Sequence, residues 1–209
     1  VRRRTMLAGL SAGLTAGVVT GASGEAAAAV PGRQVILVGA NPGVSLFDGD
    51  RLTAFASVWD VRWSTRGSGR AIVLWHADRV RVLATETALG EWLSQYFTRN
   101  FPEVAGVPWP EPAIERADVT ARLDLATGLH ARARDVSVRL DGVLHRRTFS
   151  TDEFELAGVP HSLSLVLAPA REARITVRGR ALPGTVVLGG TPERPSSSAF
   201  LTEAEVWSA

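Results

Sequence analysis

Over most of the chain, apolar and polar residues alternate in a two-residue rhythm, interrupted once by a rhythm of three and four. Residues 35–38 form a continuous apolar run, which suits a short buried strand, and Asn41-Pro42-Gly43 and Asp48-Gly49-Asp50 carry turn chemistry. From 52 to 63 the residues alternate, with Phe55, Trp59, Val61 and Trp63 on one parity, so a long strand is predicted there. Residues 71–76 and 80–83 supply two more. The rhythm then changes. Ala88, Leu89, Trp92, Leu93, Tyr96 and Phe97 recur at helical spacing, predicting one amphipathic helix over about 85–100, with Thr85 as its N-cap and Asn100 and Pro102 as its stop.

Pro102, Pro108, Pro110 and Pro112 make residues 102–112 a stiff connector that neither a helix nor a central strand accommodates. Such a segment either divides two domains or crosses over one sheet system with Trp109 packed beneath, and the second reading gives each half a core to share. Beyond it, strands are predicted at 114–126, 129–140, 143–149, 161–168, 172–181, 185–189 and 199–207. Turns fall at Thr127-Gly128, Asp141-Gly142, Pro169-Ala170 and Pro183-Gly184. The expected fold is mainly β, an antiparallel β-barrel or β-sandwich with the helix packed on it, spanning residues 30–209 as a single domain.

The first 29 residues have a different composition. Arg2, Arg3 and Arg4 precede a weakly apolar stretch rich in Gly, Ala and Val, and Ala26 to Ala29 form a small-residue run, the order of an export signal. Arg3-Arg4-Thr5-Met6-Leu7 resembles the leaders of the twin-arginine family, although Arg2 and Ala8 depart from the fuller pattern. The resemblance implies recognition of Arg3 and Arg4 by the twin-arginine export machinery, cleavage after Ala28 or Ala29, and a folded domain delivered to the cell envelope or beyond, with no stable membrane anchor remaining. The stretch is too short and too weakly apolar for a membrane span.

Charge changes its meaning once the leader is set aside. The chain has 23 basic residues, all Arg, against 21 acidic ones; residues 1–29 hold three of the former and one of the latter, which leaves twenty of each. A neutral remainder gives no electrostatic reason to expect nucleic acid. There is no cysteine, hence no disulfide and no thiolate metal site.

Candidate chemistry concentrates around Asp141-Gly142. A two-residue turn there pairs Leu140 with Val143, Val138 with His145, Val136 with Arg147 and Arg134 with Phe149. One face then holds Val136, Val138, Leu140, Val143 and Phe149 together with His130, Arg132, Arg134, His145 and Arg147. A basic end on an apolar face suits a solvated pocket or barrel mouth, where Arg forks grip the carboxylate or phosphate of a small amphipathic or anionic ligand. A bulge near Arg134-Asp135 would instead turn His130, Arg132 and Arg134 outward. His76 and Asp78 share a strand parity and form a weak catalytic pair, a histidine oriented by a carboxylate. Trp59, Trp63 and Trp75 form either a pocket floor or core.

Gly9-Leu10-Ser11-Ala12-Gly13 matches a nucleophile-elbow pattern but lies in the leader, without the strand that would position the serine. Three function classes follow. The first is an exported ligand-binding module using the basic end of the hairpin. The second is a secreted hydrolase or isomerase with a His/acid pair, and the third a non-catalytic surface or assembly protein.

Overall fold

The computed structural model of the chain describes residues 32–209. The expected leader, with Arg3 and Arg4, lies outside them. Five strands come first: β1 (Val35–Ala40), β2 (Gly43–Asp48), β3 (Arg51–Ser64), β4 (Gly69–His76) and β5 (Arg79–Ala84). A helical segment follows as α1 (Thr87–Trp92), a π turn over Leu93–Phe97 and 3-10 turns at Thr98–Asn100 and Pro102–Val104. The second half is again strands: β6 (Ala113–Arg116), β7 (Val119–Asp124), β8 (Gly128–Ala133), β9 (Val136–Val143), β10 (Arg147–Leu156) and β11 (Val159–Val177). Short β12 (Arg180–Ala181), β13 (Leu188–Gly190) and β14 (Pro195–Ser197) precede β15 (Ala199–Ser208).

The fold is mainly β with its helix packed on a large sheet. One path of pairing runs β6-β5-β4-β3-β1-β15-β11-β9-β8-β7, antiparallel throughout except for the parallel pair β5 and β6. β11 carries the path from one layer to the other. Its first half pairs with β10 and β15 as far as Pro169↔Phe200, and its second half, from Ala170↔Val143 onward, pairs with β9. The two ends of the path, β6 and β7, are separated only by Ala117-Asp118, yet no ladder joins them, so the sheet folds over itself as a sandwich and does not close into a barrel.

Between the layers lies one core. Val44, Ala56, Val58, Ile72 and Leu83 of the larger sheet meet Val119, Leu129, Ala131, Val136, Val138, Leu140 and Ile175 of the smaller. The larger sheet also buries its other face. Phe55, Trp59, Val73, Trp75 and Val82 are roofed by Leu89, Leu93 and Phe97 of the helical segment and by Phe101, Val104 and Trp109 of the connector. The connector thus crosses over the sheet, with Trp75 Nε1 donating to the Pro108 carbonyl at 2.8 Å. Trp59 and Trp75 are core, whereas Trp63 is half exposed.

Local chemistry explains where these elements depart from the sequence pattern. The helix is regular only over Thr87–Trp92 and then widens into the π turn, which keeps Leu93, Ser94 and Phe97 buried against the sheet. Thr98 stabilises the widened turn by donating its hydroxyl to the Leu93 carbonyl at 3.0 Å and accepting from Trp59 Nε1 at 3.2 Å. Thr85 is not the N-cap; its hydroxyl is held by the Arg70 backbone of β4, and Glu86 occupies the cap position without a side-chain bond. Gly90 lets α1 sit close, because a Cβ there would lie 2.6 Å from Ala84 Cβ and 2.9 Å from Val82 Cγ1.

Asp141-Gly142 does not form a hairpin turn. Residues 136–143 run on as β9, since the alternating second half of β11 offers an unbroken partner from Val143↔Ala170 to Val136↔Val177. The ladder even continues past Gly142, with Leu144 N–H donating to the Pro169 carbonyl at 2.9 Å. For the same reason Pro169-Ala170 is the point where β11 changes layer, not a turn. The reversal occurs one strand earlier, at Arg134-Asp135, where Ala133 pairs with Val136 and Arg134 takes φ 49°.

Candidate functional site

The turn at Arg134-Asp135 decides which way the basic residues point. In β8 the buried side chains are those of Leu129, Ala131 and Ala133, facing the core with Val136, Val138 and Leu140 of β9. His130 and Arg132 therefore lie on the opposite, exposed face of the smaller sheet. The apolar face they were expected to share holds no charged residue of β8 or β9.

On that outer face an open cleft of about 390 Å³ is lined by His130, Arg132 and Arg134, with Ser137, Thr176 and Arg178. The part-buried Ser137 and Thr176 hydroxyls in its lining are hydrogen bonded to each other at 2.5 Å. At the rim, Asp135 accepts a two-pronged bond from the Arg81 guanidinium of β5, at 2.9 and 3.2 Å, and lies 3.7 Å from Arg178 Nε. Arg81 also reaches Glu115 of β6 at 3.3 Å, and Arg134 Nε lies 3.6 Å from the same carboxylate. This clasp ties the turn of the smaller sheet to the edge of the larger one. The Arg81 bond holds the Asp135 carboxyl below the usual carboxylate range and raises Arg81 in return, so the clasp stays ionised across ordinary pH.

The clasp uses three guanidinium groups against two carboxylates. Arg134 is further committed by donating to the Arg116 carbonyl at 2.7 Å. Arg132 is different, for it has neither an ion pair nor a hydrogen bond from its side chain among the described residues. With His130 in the same lining, the cleft offers a cationic fork to solvent together with two hydroxyls, suited to an anion's oxygens.

The other expected ligands lie elsewhere. His145 is exposed in the link between β9 and β10, and Arg147 sits half-buried on β10, its Nη1 donating to the Pro195 carbonyl at 2.9 Å. Desolvation and the nearby Arg194 push the Arg147 guanidinium below its ordinary value. Neither lines the cleft. His76 ends β4, its Nδ1 3.0 Å from the Thr53 carbonyl, while Asp78 lies in the two-residue turn Ala77-Asp78, where φ is 49° and 55°. Both values fit the primed turn that joins β4 to β5, so Asp78 is a turn residue and shares no strand face with His76.

Two buried groupings escaped the sequence reading. Glu205, beside the left-handed Ala204, accepts from Trp207 Nε1 at 2.6 Å and from the Thr202 hydroxyl at 2.9 Å; burial pushes its carboxyl up to about 7 against those bonds. His161, fully buried, bonds the Val159 carbonyl through Nδ1 and the Tyr96 hydroxyl through Nε2, each at 2.8 Å. With Nδ1 donating to the carbonyl, Nε2 accepts from Tyr96. Both groupings are buried, His161 against the rings of Tyr96 and Trp207 and Glu205 against Trp207 and Thr202, and no three His, Asp or Glu side chains among the described residues converge as a metal site would require. The exposed Arg178 was also missed, and the only signal for it was its place three residues beyond the last core residue of β11.

Comparison of the chain with protein-family models, with curated proteins and with solved structures finds no match.

Proposed function

We propose that this chain is an exported binding module that takes an anionic group on the outer face of its smaller sheet. The observation that carries the reading is the position of Arg132, a guanidinium without an anion partner among the described residues, in one cleft with the Ser137 and Thr176 hydroxyls, His130 and Arg178. Of the cleft's arginines, Arg134 faces Glu115 and Arg178 faces Asp135, whereas Arg132 has no carboxylate, so a ligand's negative charge would supply the partner it lacks. His76, His130 and His145 accept or donate no hydrogen bond to a carboxylate among the described residues, so the geometry favours binding over general-base chemistry.

The test is a titration of the purified protein with inorganic phosphate, followed through the arginine Nε–H signals. Saturable shifts at Arg132 in the parent, with a phosphate affinity read at the neighbouring Arg134 and Arg178 signals that falls at least tenfold in Arg132→Ala, support the reading. Shifts that are linear in phosphate, or unchanged in the variant, reject it. Export rests on the twin-arginine resemblance, and replacing Arg3 and Arg4 together by Lys is expected to retain the protein in the cytoplasm. Unimpaired export of that variant would reject the route and leave export itself standing.

A further inference from the structure

Beyond the cleft, the register of the smaller sheet lines up its outward residues in three rows across the strands. Arg122 pairs with His130, His130 with Arg139 and Arg139 with Arg174, a continuous basic row over β7, β8, β9 and β11. On one side of it Thr120, Arg132, Ser137 and Thr176 form a second row, mostly hydroxyl. On the other side Asp124, Gly128, Asp141 and Glu172 form a third, acidic except at the glycine. Three guanidinium groups and an imidazole lie opposite one another there, and like charges so placed work against sheet pairing. Only Arg139 has a carboxylate partner among the described residues, Asp141 at 2.7 Å through Nε, which leaves its terminal amino groups without an ion pair.

Spacing and width narrow the partner. Strands about 4.8 Å apart make the row ~14 Å long, and neighbouring rows, two residues away along each strand, are about 7 Å to either side. A broad polyanion such as a nucleic-acid duplex would press phosphates onto Asp124, Asp141 and Glu172. A single nucleic-acid strand would find no Phe, Tyr or Trp in the three rows on which to stack successive bases, and only His130 as an aromatic ring. A thin chain with one carboxylate per sugar ring fits better. A pyranose ring is about as long as the strand spacing, its carboxylates meet guanidinium forks, and its hydroxyls find Thr120, Ser137 and Thr176 on one flank and carboxylate acceptors on the other.

We infer that the anionic ligand is a linear carboxylated polysaccharide, laid across the strands along Arg122, His130, Arg139 and Arg174. The inference rests on the anion-binding reading above and adds the class and direction of the ligand to it. A second open cleft, about 640 Å³ and lined by Arg139, Asp141, Glu172 and Arg174, continues the same face toward Thr185 and gives the chain room to leave the row.

Oligouronates of one, two, four and eight rings, titrated into the purified protein, test it. The expected result is affinity that rises at least tenfold from one ring to four and then levels, because the row has four positions. Arg122→Ala and Arg174→Ala, at the two ends of the row, are expected to lower four-ring affinity several-fold while the phosphate response at Arg132 stays as in the parent. Arg174→Lys, which keeps the charge but loses the fork, should fall between. Equal affinity for one ring and four, parent-like binding by both end variants, or tighter binding of a polyphosphate of equal length would overturn the inference. Loss of the phosphate response itself counts against the anion-binding reading instead, so the two fail separately. Circular dichroism of each variant confirms that it is folded, and Arg62→Ala, an exposed arginine of β3, controls for the loss of one charge.

Discussion

The two sheets share one strand and one core, yet their outer faces differ. The larger sheet is covered on both sides. Phe55, Trp59 and Val73 lie under the helical segment while Ala56, Val58 and Ile72 face the smaller sheet, so successive residues of β3 and β4 are buried alike. The smaller sheet is covered on one side only, and its strands keep a clean alternation, with Ala131, Val138 and Ile175 inward and Arg132, Arg139 and Arg174 outward. Covering a face commits it to stability, and a bare face can change its residues at little cost in folding free energy. The difference assigns the larger sheet to holding the molecule together and the smaller to meeting its surroundings.

Substitutions beneath the helical roof should break that division most severely. Phe97→Ala removes a fully buried ring packed 5.3 Å from Trp59 and 5.1 Å from Trp207, and a loss of about 3–5 kcal/mol in urea unfolding is expected. Next is Glu205, on the roofed side with Trp207. Its carboxyl stands at about 7 in the fold, against an ordinary value near 4.5, so the folded state binds the proton more tightly. Stability is therefore fully present below about pH 4.5 and declines as the pH rises toward 7, by roughly 3 kcal/mol from this group. Glu103, half-buried in the first turn of the connector and also pushed up to about 7 by desolvation, acts in the same direction. Glu205→Gln should flatten the decline by the larger part; a pH series of thermal melts that overlays the parent's would contradict the assignment.

A smaller effect is expected at Gly90, where Ala improves helix propensity but drives a methyl into Ala84 and Val82. A net loss of about 1–3 kcal/mol follows, read as a lowered melting temperature. The smallest effect belongs to the bare face. Arg132→Ala and Arg174→Ala together should change unfolding free energy by less than about 0.5 kcal/mol, and a larger loss would show that the outer face is also structural.

The sequence displayed the strands better than their partners. Alternation along 119–125 and 173–179 located β7 and the second half of β11, because one covered face leaves a two-residue signature. The same signature could not place the reversal in 129–140. Asp-Gly is a strong local turn signal, but β9 gains an entire cross-strand neighbour in β11 by running through it, and that pairing spans about thirty residues of sequence. The turn fell instead at Arg134-Asp135, a dipeptide with no turn glycine, held by the Arg81 bond from a strand more than fifty residues earlier. That displacement by a few residues inverted the faces. The sequence left His130 and Arg132 either on the apolar face or turned outward by a break near Arg134-Asp135, and the structure follows the outward reading; His145 and Arg147 were grouped with them by a hairpin that does not exist. The row of Arg122, Arg139 and Arg174 could not be read at all, because it exists only once four strands are in register. Glu205 lay hidden in an ordinary alternating stretch until the bulge at Ala204 put it on the aromatic side.

β1 and β15 lie side by side in the middle of the larger sheet, with Val38 opposite Val206 and β3 and β11 on their far sides. A chain emerging from the ribosome can form the β3-β4-β5 meander early, and the smaller sheet can pair as its strands appear. The seam between β1 and β11 stays open until β15 is made, with two unpaired edges facing each other across the gap. Folding therefore waits on β15, whose pairing with β1 and β11 is the slow, non-local step of the topology, and until it pairs the nascent chain is open to strand pairing with its neighbours.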